Sequence, residues 1–306
     1  MRESIIRTLA LNAALGYSPT RVQLLLGLDV KDSSIPVDHK IVLSVLDELK
    51  QQNLVVEFHG RLALFDYQDQ IEAGRLNELF FPRKLRRARW TAGYLSKLPW
   101  VRAVSLCNTT ALGQARDGGD LDFLVIVKAG TIWRSRFFSA LPFALLNARP
   151  AVFDKSNAKK DPVCLSFFIT DENLNLWDFS LPEDDPYLRH WFLSLMPLKD
   201  DGVMCHFWDQ NHVLRQRHPL AKPWIALSGH DYSAGGKLKY SLQNSWLEGF
   251  LKRLQWKRFP KVIREMANQD TRVVINDRVL KFHVQDQREK FRQDYRLICQ
   301  KYGVDP

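Results

Sequence analysis

The chain has 306 residues and a mass of 35.6 kDa, and 45% of its residues are hydrophobic. This length suffices for about two domains with buried cores. Charged residues make up 25% of the chain, as in ordinary globular proteins, which excludes wholesale disorder. The 44 Lys and Arg residues outnumber the 34 Asp and Glu residues and give a net charge of +10. This excess indicates an anionic partner such as nucleic acid, a nucleotide or an acidic surface, or it serves solubility alone.

No membrane span or disulfide framework is apparent in the sequence. The most apolar stretch, residues 137–153, is interrupted by Pro142 and Arg149 and is too short to cross a bilayer. The cysteines lie far apart and form no C-x-x-C pair: Cys107, Cys164, Cys205 and Cys299. We therefore expect a cytoplasmic protein with no leader peptide and no membrane partner, in which each cysteine fills apolar space.

The N-terminal residues predict three short helices. Apolar residues recur at helical spacing over residues 4–15. Ser18 is a suitable N-cap, with Pro19 at the first position of a second helix that ends near Leu26. Asp38 is a suitable cap for a third helix.

A β-hairpin follows, with apolar strands over residues 54–58 and 61–65 around a turn at His59-Gly60. Three helices and a hairpin predict a winged helix-turn-helix domain over residues 1–70. The third helix would carry the base contacts of a DNA-binding domain, but its outward charges nearly cancel. The sequence therefore favours a protein-binding module or a packing lid over DNA binding.

A central sheet domain is predicted over residues 71–217. It opens with a largely helical stretch, residues 71–98, interrupted at Pro82. Five cations there have no acid among them, which indicates either a phosphate contact or a solvated helix face: Arg83, Lys84, Arg86, Arg87 and Arg89. Strand and helix patterns then alternate. The expected strands are 101–106, 120–127, 151–154, 163–170 and a short one at 174–176, and the expected helices or turns are 109–116, 131–146 and 185–195.

The remaining residues, 218–306, predict a helical C-terminal region. Its expected elements are a helix over 238–267 broken at Pro260, a short strand at 272–275 and a last helix at 286–301. Cations recur at helical spacing between residues 252 and 264, close to Trp246 and Trp256. This pattern is typical of a nucleic-acid-binding face, or of a helix with tryptophans inward and cations outward, which the sequence slightly favours. Lys281, His283 and Asp286 can form a second polar cluster.

Two carboxylates at the start of a predicted buried strand carry the clearest chemical signal. Asp120 and Asp122 are two residues apart, so their side chains point to the same face of the strand. Two adjacent carboxylates repel each other unless a cation lies between them. Mg²⁺ is usually held by one or two carboxylates together with substrate phosphates. Asn108 and Thr109 end the preceding strand and open a helix or turn, where backbone N–H groups and a hydroxyl can bind phosphate.

This arrangement resembles the nucleotidyltransferase superfamily to which DNA polymerase beta belongs. The family pattern is a strand, Gly-Ser opening a helix, about ten residues, and Asp-x-Asp on the next strand. Asn108 takes the Gly position and Thr109 the Ser position. The segment from Ala111 to Arg116 and the winged-helix N-terminus are similar to bacterial proteins with predicted nucleotidyltransferase domains.

The resemblance implies roles for these residues. Asp120 and Asp122 would bind Mg²⁺ or Mn²⁺ and act in catalysis, while Asn108 and Thr109 would contact the NTP. Arg136, on the helix after the acidic strand, would reach phosphate or lie on the helix surface. The implied reaction transfers a nucleoside monophosphate from the NTP to a hydroxyl acceptor. The sequence leaves open whether this acceptor is RNA, DNA or another anionic molecule, a protein side chain, or a small molecule.

The sequence departs from the family pattern at the third carboxylate, which active members carry on a neighbouring strand. The candidate strand, residues 163–170, offers Ser166 between Cys164 and Phe168. Asp154, at the end of the preceding predicted strand, is the substitute that the sequence offers. A catalytically degenerate relative that binds nucleic acid or protein is therefore the alternative function. The expected fold class is α+β, with a winged helix, a nucleotidyltransferase-like mixed sheet with flanking helices, and a helical C-terminal region.

Overall fold

The computed structural model of the chain describes residues 1–32, 36–149, 160–223 and 245–306. These residues form helices that flank a mixed β-sheet, which confirms the predicted α+β class at that level. The N-terminal elements are three helices and an antiparallel hairpin: α1 (Arg2–Ala14), α2 (Arg21–Leu26), α3 (His39–Gln51), β1 (Val55–Phe58) and β2 (Arg61–Leu64). They pack around one apolar core that includes Leu9 and Leu46.

Of the two helix caps predicted from the sequence, one is confirmed and the other is wrong. Asp38 caps α3 by accepting a hydrogen bond from the Lys40 N–H at 2.8 Å, as predicted. The predicted Ser18 cap of α2 is wrong, because Thr20 forms a capping box with Gln23 instead. Ser18 is buried and its carbonyl accepts a hydrogen bond from Arg61.

The hairpin turn adopts the conformation that its residues favour. His59 has a φ of 49° and Gly60 a φ of 73°, so both central residues are left-handed. A two-residue turn of this type matches the right-handed twist of the two strands. The turn predicted at His59-Gly60 is therefore confirmed.

The last helix, α13 (Arg288–Lys301), packs against α1. Tyr295 and Ile298 belong to the same apolar core as Ile5 and Leu9. The end of the chain therefore completes the core of the N-terminal helices. The domain boundaries at residues 70 and 217 stay predictions.

A six-stranded sheet lies at the centre of the described structure. Its strands are β3 (Val101–Leu106), β4 (Leu121–Val127), β5 (Val163–Thr170), β6 (Met196–Asp200), β7 (Val273–Ile275) and β8 (Val279–Phe282), in the order β6-β3-β4-β5-β8-β7. β4 and β5 are parallel, and the other neighbours are antiparallel. The predicted strand over 163–170 is confirmed, whereas the one over 151–154 lies outside the described residues.

Helices cover both faces of this sheet. Phe123 and Val125 face one apolar core, and Leu124 and Ile126 face another. The first core is covered by α5 (Phe81–Leu95), α7 (Ile132–Leu145), α11 (Ser245–Arg258) and α12 (Lys261–Met266). The second is covered by α8 (Pro186–Leu193), α9 (Val203–Gln210) and α10 (His212–Arg215). Two further helices complete the described elements. α4 (Asp69–Glu78) leads into α5, and α6 (Asn108–Ala111) connects β3 to β4.

Some predicted elements differ from the structure. Residues 174–176 form no strand and instead lead into a 3₁₀ turn at Trp177–Phe179. The sequence did not predict β6, because this strand contains Pro197 and Lys199 and has no apolar alternation. β6 lies at the sheet edge, where a proline is tolerated because one side of the strand needs no hydrogen-bond partner.

Within the described ranges, no helix combines the length and the hydropathy that crossing a bilayer requires.

Two neutral histidines pack between the N-terminal helices and the sheet. Burial, and then the neighbouring charge of His218, lowers the pKa of His190 to about 4. Burial likewise lowers the pKa of His218 to about 4, and its Nδ1 lies 3.1 Å from the Gly27 carbonyl oxygen.

We predict that acid destabilises the fold between about pH 6.5 and pH 4. The unfolded chain takes up protons on these histidines near pH 6.5, and the folded chain does so only near pH 4, so the stability present above pH 6.5 is lost across this window. The full effect is on the order of 3 kcal/mol for each histidine. Urea unfolding of the wild type and of His190→Gln/His218→Asn at a series of pH values measures it. An equal pH dependence in both proteins would contradict the assignment.

Candidate active site

The acidic motif is held by the β3–α6–β4 unit. Leu106 pairs with Phe123 across the two antiparallel strands, and the Cys107 N–H donates to the Asp122 carbonyl oxygen at 3.0 Å. The chain then turns through Asn108, whose φ of 58° is left-handed. Asn tolerates this conformation better than most residues. The turn places Asn108 beside the start of β4.

Three side chains converge at this end of the sheet. Asp120 precedes β4, Asp122 lies at its second position, and Asp122 pairs with Cys164 on the parallel strand β5. One ligand atom from each of these side chains lies within 4.8 Å of the others, and all three residues are partly buried. In the described ranges, no other group of three or more His, Cys, Asp or Glu side chains converges in this way.

The electrostatics of Asp122 favour a bound cation. Burial, and then the charge of Asp120, raises the pKa of Asp122 to about 6. Hydrogen bonds from Asn108 and Cys164 and the charge of Lys84 oppose this rise without cancelling it. A proton or a metal ion would relieve the repulsion between the two carboxylates.

Cys164 lies where the neighbouring strand faces the carboxylates. Burial, followed by the charges of Asp122 and Asp120, raises the pKa of its thiol well above the usual range, so the sulfur keeps its proton. Mg²⁺ and Mn²⁺ prefer oxygen ligands, so Asp120 and Asp122 fit such an ion and the neutral thiol adds little. Cys164 is thus a polar neighbour of the acidic pair, whereas the sequence predicted only an apolar filler.

The predicted phosphate-contact residues lie beside the acidic pair. Asn108 donates from Nδ2 to Asp122 Oδ2 at 2.7 Å and accepts at Oδ1 from the Tyr187 hydroxyl at 3.3 Å. Tyr187 stacks on Phe291 with ring centroids 5.5 Å apart. Thr109 is exposed next to this network. The sequence did not predict a role for Tyr187, because only the packing of α8 brings this residue to Asn108.

The loop before Asp120 is anchored by two cations of the basic run. Lys84 is fully buried; its ammonium group hydrogen-bonds the Gly119 carbonyl oxygen and lies 2.9 Å from Asp161 Oδ1. Arg83 pairs with Asp161 at 2.8 Å and with Asp117 at 2.7 Å. Burial alone would raise the pKa of Asp161, but hydrogen bonds from Arg83 and Lys84 hold it below its usual value. Two of the five cations therefore pair with acids of the chain itself.

Arg136 does not join the acidic cluster. Its guanidinium lies 4.9 Å from the Phe259 ring centroid and 4.7 Å from that of Phe282, and it donates to Gln255. These residues are on the sheet face opposite Leu124 and Asp122. Burial lowers the pKa of Arg136 to about 9. This position does not support the predicted contact between Arg136 and a phosphate bound at Asp122.

The described residues supply no third carboxylate to the cluster. Asp154, the substitute suggested by the sequence, lies outside the described residues. Ser166, the polar residue that the sequence offered on β5, lies two residues after Cys164. Its Oγ lies 3.4 Å from His283 Nε2. Burial and the nearby Lys281 charge lower the pKa of His283 to about 3, so this pair is neutral. The charge of Asp286 acts on the pKa values of Lys281 and His283, whereas its side chain hydrogen-bonds Arg288, so the second polar cluster stays a prediction.

The basic helices α11 and α12 expose their cations to solvent, and α11 also exposes its tryptophans. Trp246 is 74% exposed and Trp256 is 39% exposed, which contradicts the interpretation that these tryptophans pack inward. Phe250 is also exposed. The exposed cations along α11 and α12 are Lys252, Arg253, Lys257, Arg258, Lys261 and Arg264, of which Lys252 pairs with Asp277 at 2.7 Å.

The chain matches no protein-family model, no curated protein and no solved structure.

We predict that Lys84→Met lowers the free energy of unfolding by about 3 kcal/mol. The change leaves a buried carboxylate short of one partner, and Arg83 keeps the loss at the low end for a broken buried ion pair. Chemical denaturation of the variant and of Arg86→Met, which alters an exposed residue of the same helix, provides the test. Equal stability of the two variants would refute the anchoring role of Lys84.

Proposed function

We propose that the chain is a metal-dependent nucleotidyltransferase, with Mg²⁺ or Mn²⁺ as cofactor and an NTP as substrate. The convergence of Asp120 and Asp122 at the start of β4 carries this proposal. The order β3–α6–β4, with Asn108 hydrogen-bonded to Asp122, supports a nucleotidyltransferase-like sheet. Three helices followed by a hairpin support a winged helix as the N-terminal domain.

The residues of the cluster have separate roles in this proposal. Asp120 and Asp122 would hold the metal ion, and the ion would supply the positive charge that neutralises the triphosphate. Asn108 fixes the orientation of the Asp122 carboxylate through its 2.7 Å hydrogen bond, and the exposed Thr109 hydroxyl contacts the outer phosphates. The acceptor oxygen forms a bond to the α-phosphorus, and the bond between the α-phosphorus and the oxygen that bridges the α- and β-phosphates breaks. Pyrophosphate leaves, and the acceptor proton passes to solvent.

A specific observation favours a second candidate, a non-catalytic binding module. Cys164 pairs with Asp122 in the strand register, on the strand that carries the third carboxylate in active family members. A protonated thiol neither activates a hydroxyl as a base nor completes a magnesium site. A chain that binds metal and NTP but transfers nothing would fit this second function.

We predict that Cys164→Asp strengthens Mn²⁺ binding at least tenfold, because it adds a third oxygen ligand to the pair. Cys164→Ser, a matched control of similar size without the charge, leaves binding unchanged. Asp120→Asn/Asp122→Asn abolishes it. Calorimetric titration with Mn²⁺ at pH 7.5, with and without a non-hydrolysable NTP, measures all four proteins.

Transfer assays with labelled NTPs and Mg²⁺ or Mn²⁺ then separate the two functions. Product formed by the wild type and lost in Asp120→Asn/Asp122→Asn supports the transferase. Metal-dependent NTP binding without product from the wild type supports the binding module. If the wild type binds no metal and transfers nothing, both functions fail.

The exposed face of α11, which packs on the sheet face opposite Asp122, is suited to bind a single-stranded nucleic acid as a partner. Trp246, Phe250, Arg253 and Lys257 follow one another at spacings of four, three and four residues, which places them along one side of the helix. Aromatic rings stack on bases of any sequence, and cations follow the phosphate backbone.

We predict that Trp246→Ala/Phe250→Ala weakens binding of a single-stranded RNA at least tenfold, because stacking on each base contributes about 1–3 kcal/mol. Phe58→Ala removes an equally exposed aromatic ring from the hairpin and is the control. Fluorescence anisotropy at several salt concentrations measures the affinity and its electrostatic part. Equal losses in both variants, or no binding by the wild type, would contradict this nucleic-acid-binding surface.

A further inference from the structure

The acidic cluster contains a sulfur ligand as well as two carboxylates. Cys164 is the second residue of β5, and the parallel register pairs it with Asp122, the second residue of β4. Asp120 directly precedes β4. One ligand atom of each side chain lies within 4.8 Å of the other two. Two adjacent strands therefore bring oxygen and sulfur ligands together at one end of the sheet.

The spacing of these atoms suits a single ion. In a tetrahedral zinc site the Zn–S bond is about 2.3 Å and each Zn–O bond about 2.0–2.2 Å, so neighbouring ligand atoms lie about 3.4–3.6 Å apart. From separations of at most 4.8 Å, the three atoms reach this spacing by small side-chain rotations. The Cys164 thiol already hydrogen-bonds the Asp122 carboxylate. A metal ion at the cluster takes the place of the proton between them.

The thiol makes the cluster selective among divalent cations. Mg²⁺ and Mn²⁺ prefer oxygen ligands and leave the sulfur of Cys164 out of their coordination. Zn²⁺ binds thiolate and carboxylate ligands alike, and its affinity for a given set of ligands exceeds that of Mn²⁺. Three protein ligands also leave the fourth position of a tetrahedral ion open, which is typical of catalytic zinc sites.

Neighbouring groups hold the ligands in position. Asn108 donates to Asp122 Oδ2 at 2.7 Å and accepts from the Tyr187 hydroxyl at 3.3 Å. The Cys107 N–H donates to the Asp122 carbonyl oxygen at 3.0 Å. Hydrogen bonds of this kind orient metal ligands, and their loss typically lowers metal affinity about 10–100-fold. The cluster therefore has the supporting contacts of a metal site as well as its ligands.

We propose that Asp120, Asp122 and Cys164 form a zinc site, with the Cys164 thiolate as the third ligand and the fourth position open to water or a triphosphate oxygen. When the sulfur–zinc bond forms, the thiol proton passes to the buffer. This inference rests on the metal-binding role proposed for Asp120 and Asp122. It adds that Zn²⁺ competes with Mg²⁺ and Mn²⁺ for the two carboxylates and that Cys164 determines the outcome.

Titration with Co²⁺, a spectroscopic substitute for Zn²⁺, tests whether the thiolate is a ligand. The full chain is reduced, freed of metal with a chelator and titrated. We expect the ultraviolet charge-transfer absorption of a cobalt–thiolate bond, and its loss when Zn²⁺ is added. Cys205→Ser, which removes an exposed thiol, keeps this absorption. Cys164→Ser and Asp120→Asn/Asp122→Asn lack it. The same absorption in Cys164→Ser as in the wild type would overturn the proposal.

Calorimetry with Zn²⁺ and with Mn²⁺ measures the selectivity. We expect Cys164→Ser to bind Zn²⁺ at least about tenfold more weakly than the wild type, because losing a ligand costs no less than losing a partner of a ligand. Its affinity for Mn²⁺ stays that of the wild type. Equal Zn²⁺ affinities, with Mn²⁺ bound by both proteins, would overturn the zinc site and leave the proposed function standing. If the wild type binds neither ion, both fail.

X-ray absorption at the zinc edge decides the question even if Cys164→Ser fails to fold. The sample is Cys205→Ser loaded with one equivalent of Zn²⁺, in which the cluster is unchanged. We expect one sulfur at about 2.3 Å and oxygens at about 2.0–2.2 Å from the zinc ion. A zinc ion surrounded by oxygen and nitrogen alone would overturn the proposal.

Discussion

The repulsion between two carboxylates at the start of one buried strand is the constraint on which the proposed site depends. Asp120 and Asp122 are two residues apart and share one side of the chain. Burial and the Asp120 charge raise the pKa of Asp122 to about 6, so the protein alone does not relieve this repulsion. The amide of Asn108 offsets part of it. We propose that a divalent cation, bound together with a triphosphate, offsets the rest.

The surrounding fold holds the two repelling carboxylates in place from two sides. On one side, Lys84 and Arg83 fix the loop that precedes Asp120 through Gly119 and Asp161. On the other, Tyr187 reaches Asn108 and stacks on a ring of the last helix. That helix also completes the core of the N-terminal helices. The acidic site, the first residues and the last residues of the chain are therefore connected by packing.

Much of the fold follows from the sequence, because local patterns determine it. Apolar runs predicted β3 and β5 with the observed bounds, and Asp38 predicted the start of α3. β6 could not be predicted in this way, since an edge strand with Pro197 lacks the periodicity of a buried strand. Ser18 was mistaken for a cap because it precedes a proline, whereas the capping box of Thr20 decides where α2 begins.

The sequence showed the residues of the site that are neighbours along the chain, and missed those that only folding brings together. Asp120, Asp122 and Asn108 belong to one short motif and lie together in the structure. The register of β4 and β5 brings Cys164 to this motif, and the packing of α8 brings Tyr187 to it. No local sequence pattern predicts these two contacts. Lys84 did have a signal, because Ala88, Ala92 and Leu95 place it on the buried side of its helix. The high charge of residues 83–89 made this pattern hard to recognise from the sequence. The cations of this run have different roles in the structure.

Anomalous scattering from crystals grown with Mn²⁺ and a non-hydrolysable NTP locates the metal ion of the proposed site. We expect a manganese peak between the carboxylates of Asp120 and Asp122, with the triphosphate beside Thr109, and no peak in crystals of Asp120→Asn/Asp122→Asn. Ordered nucleotide elsewhere on the protein, with no metal at these carboxylates, would contradict the proposed site.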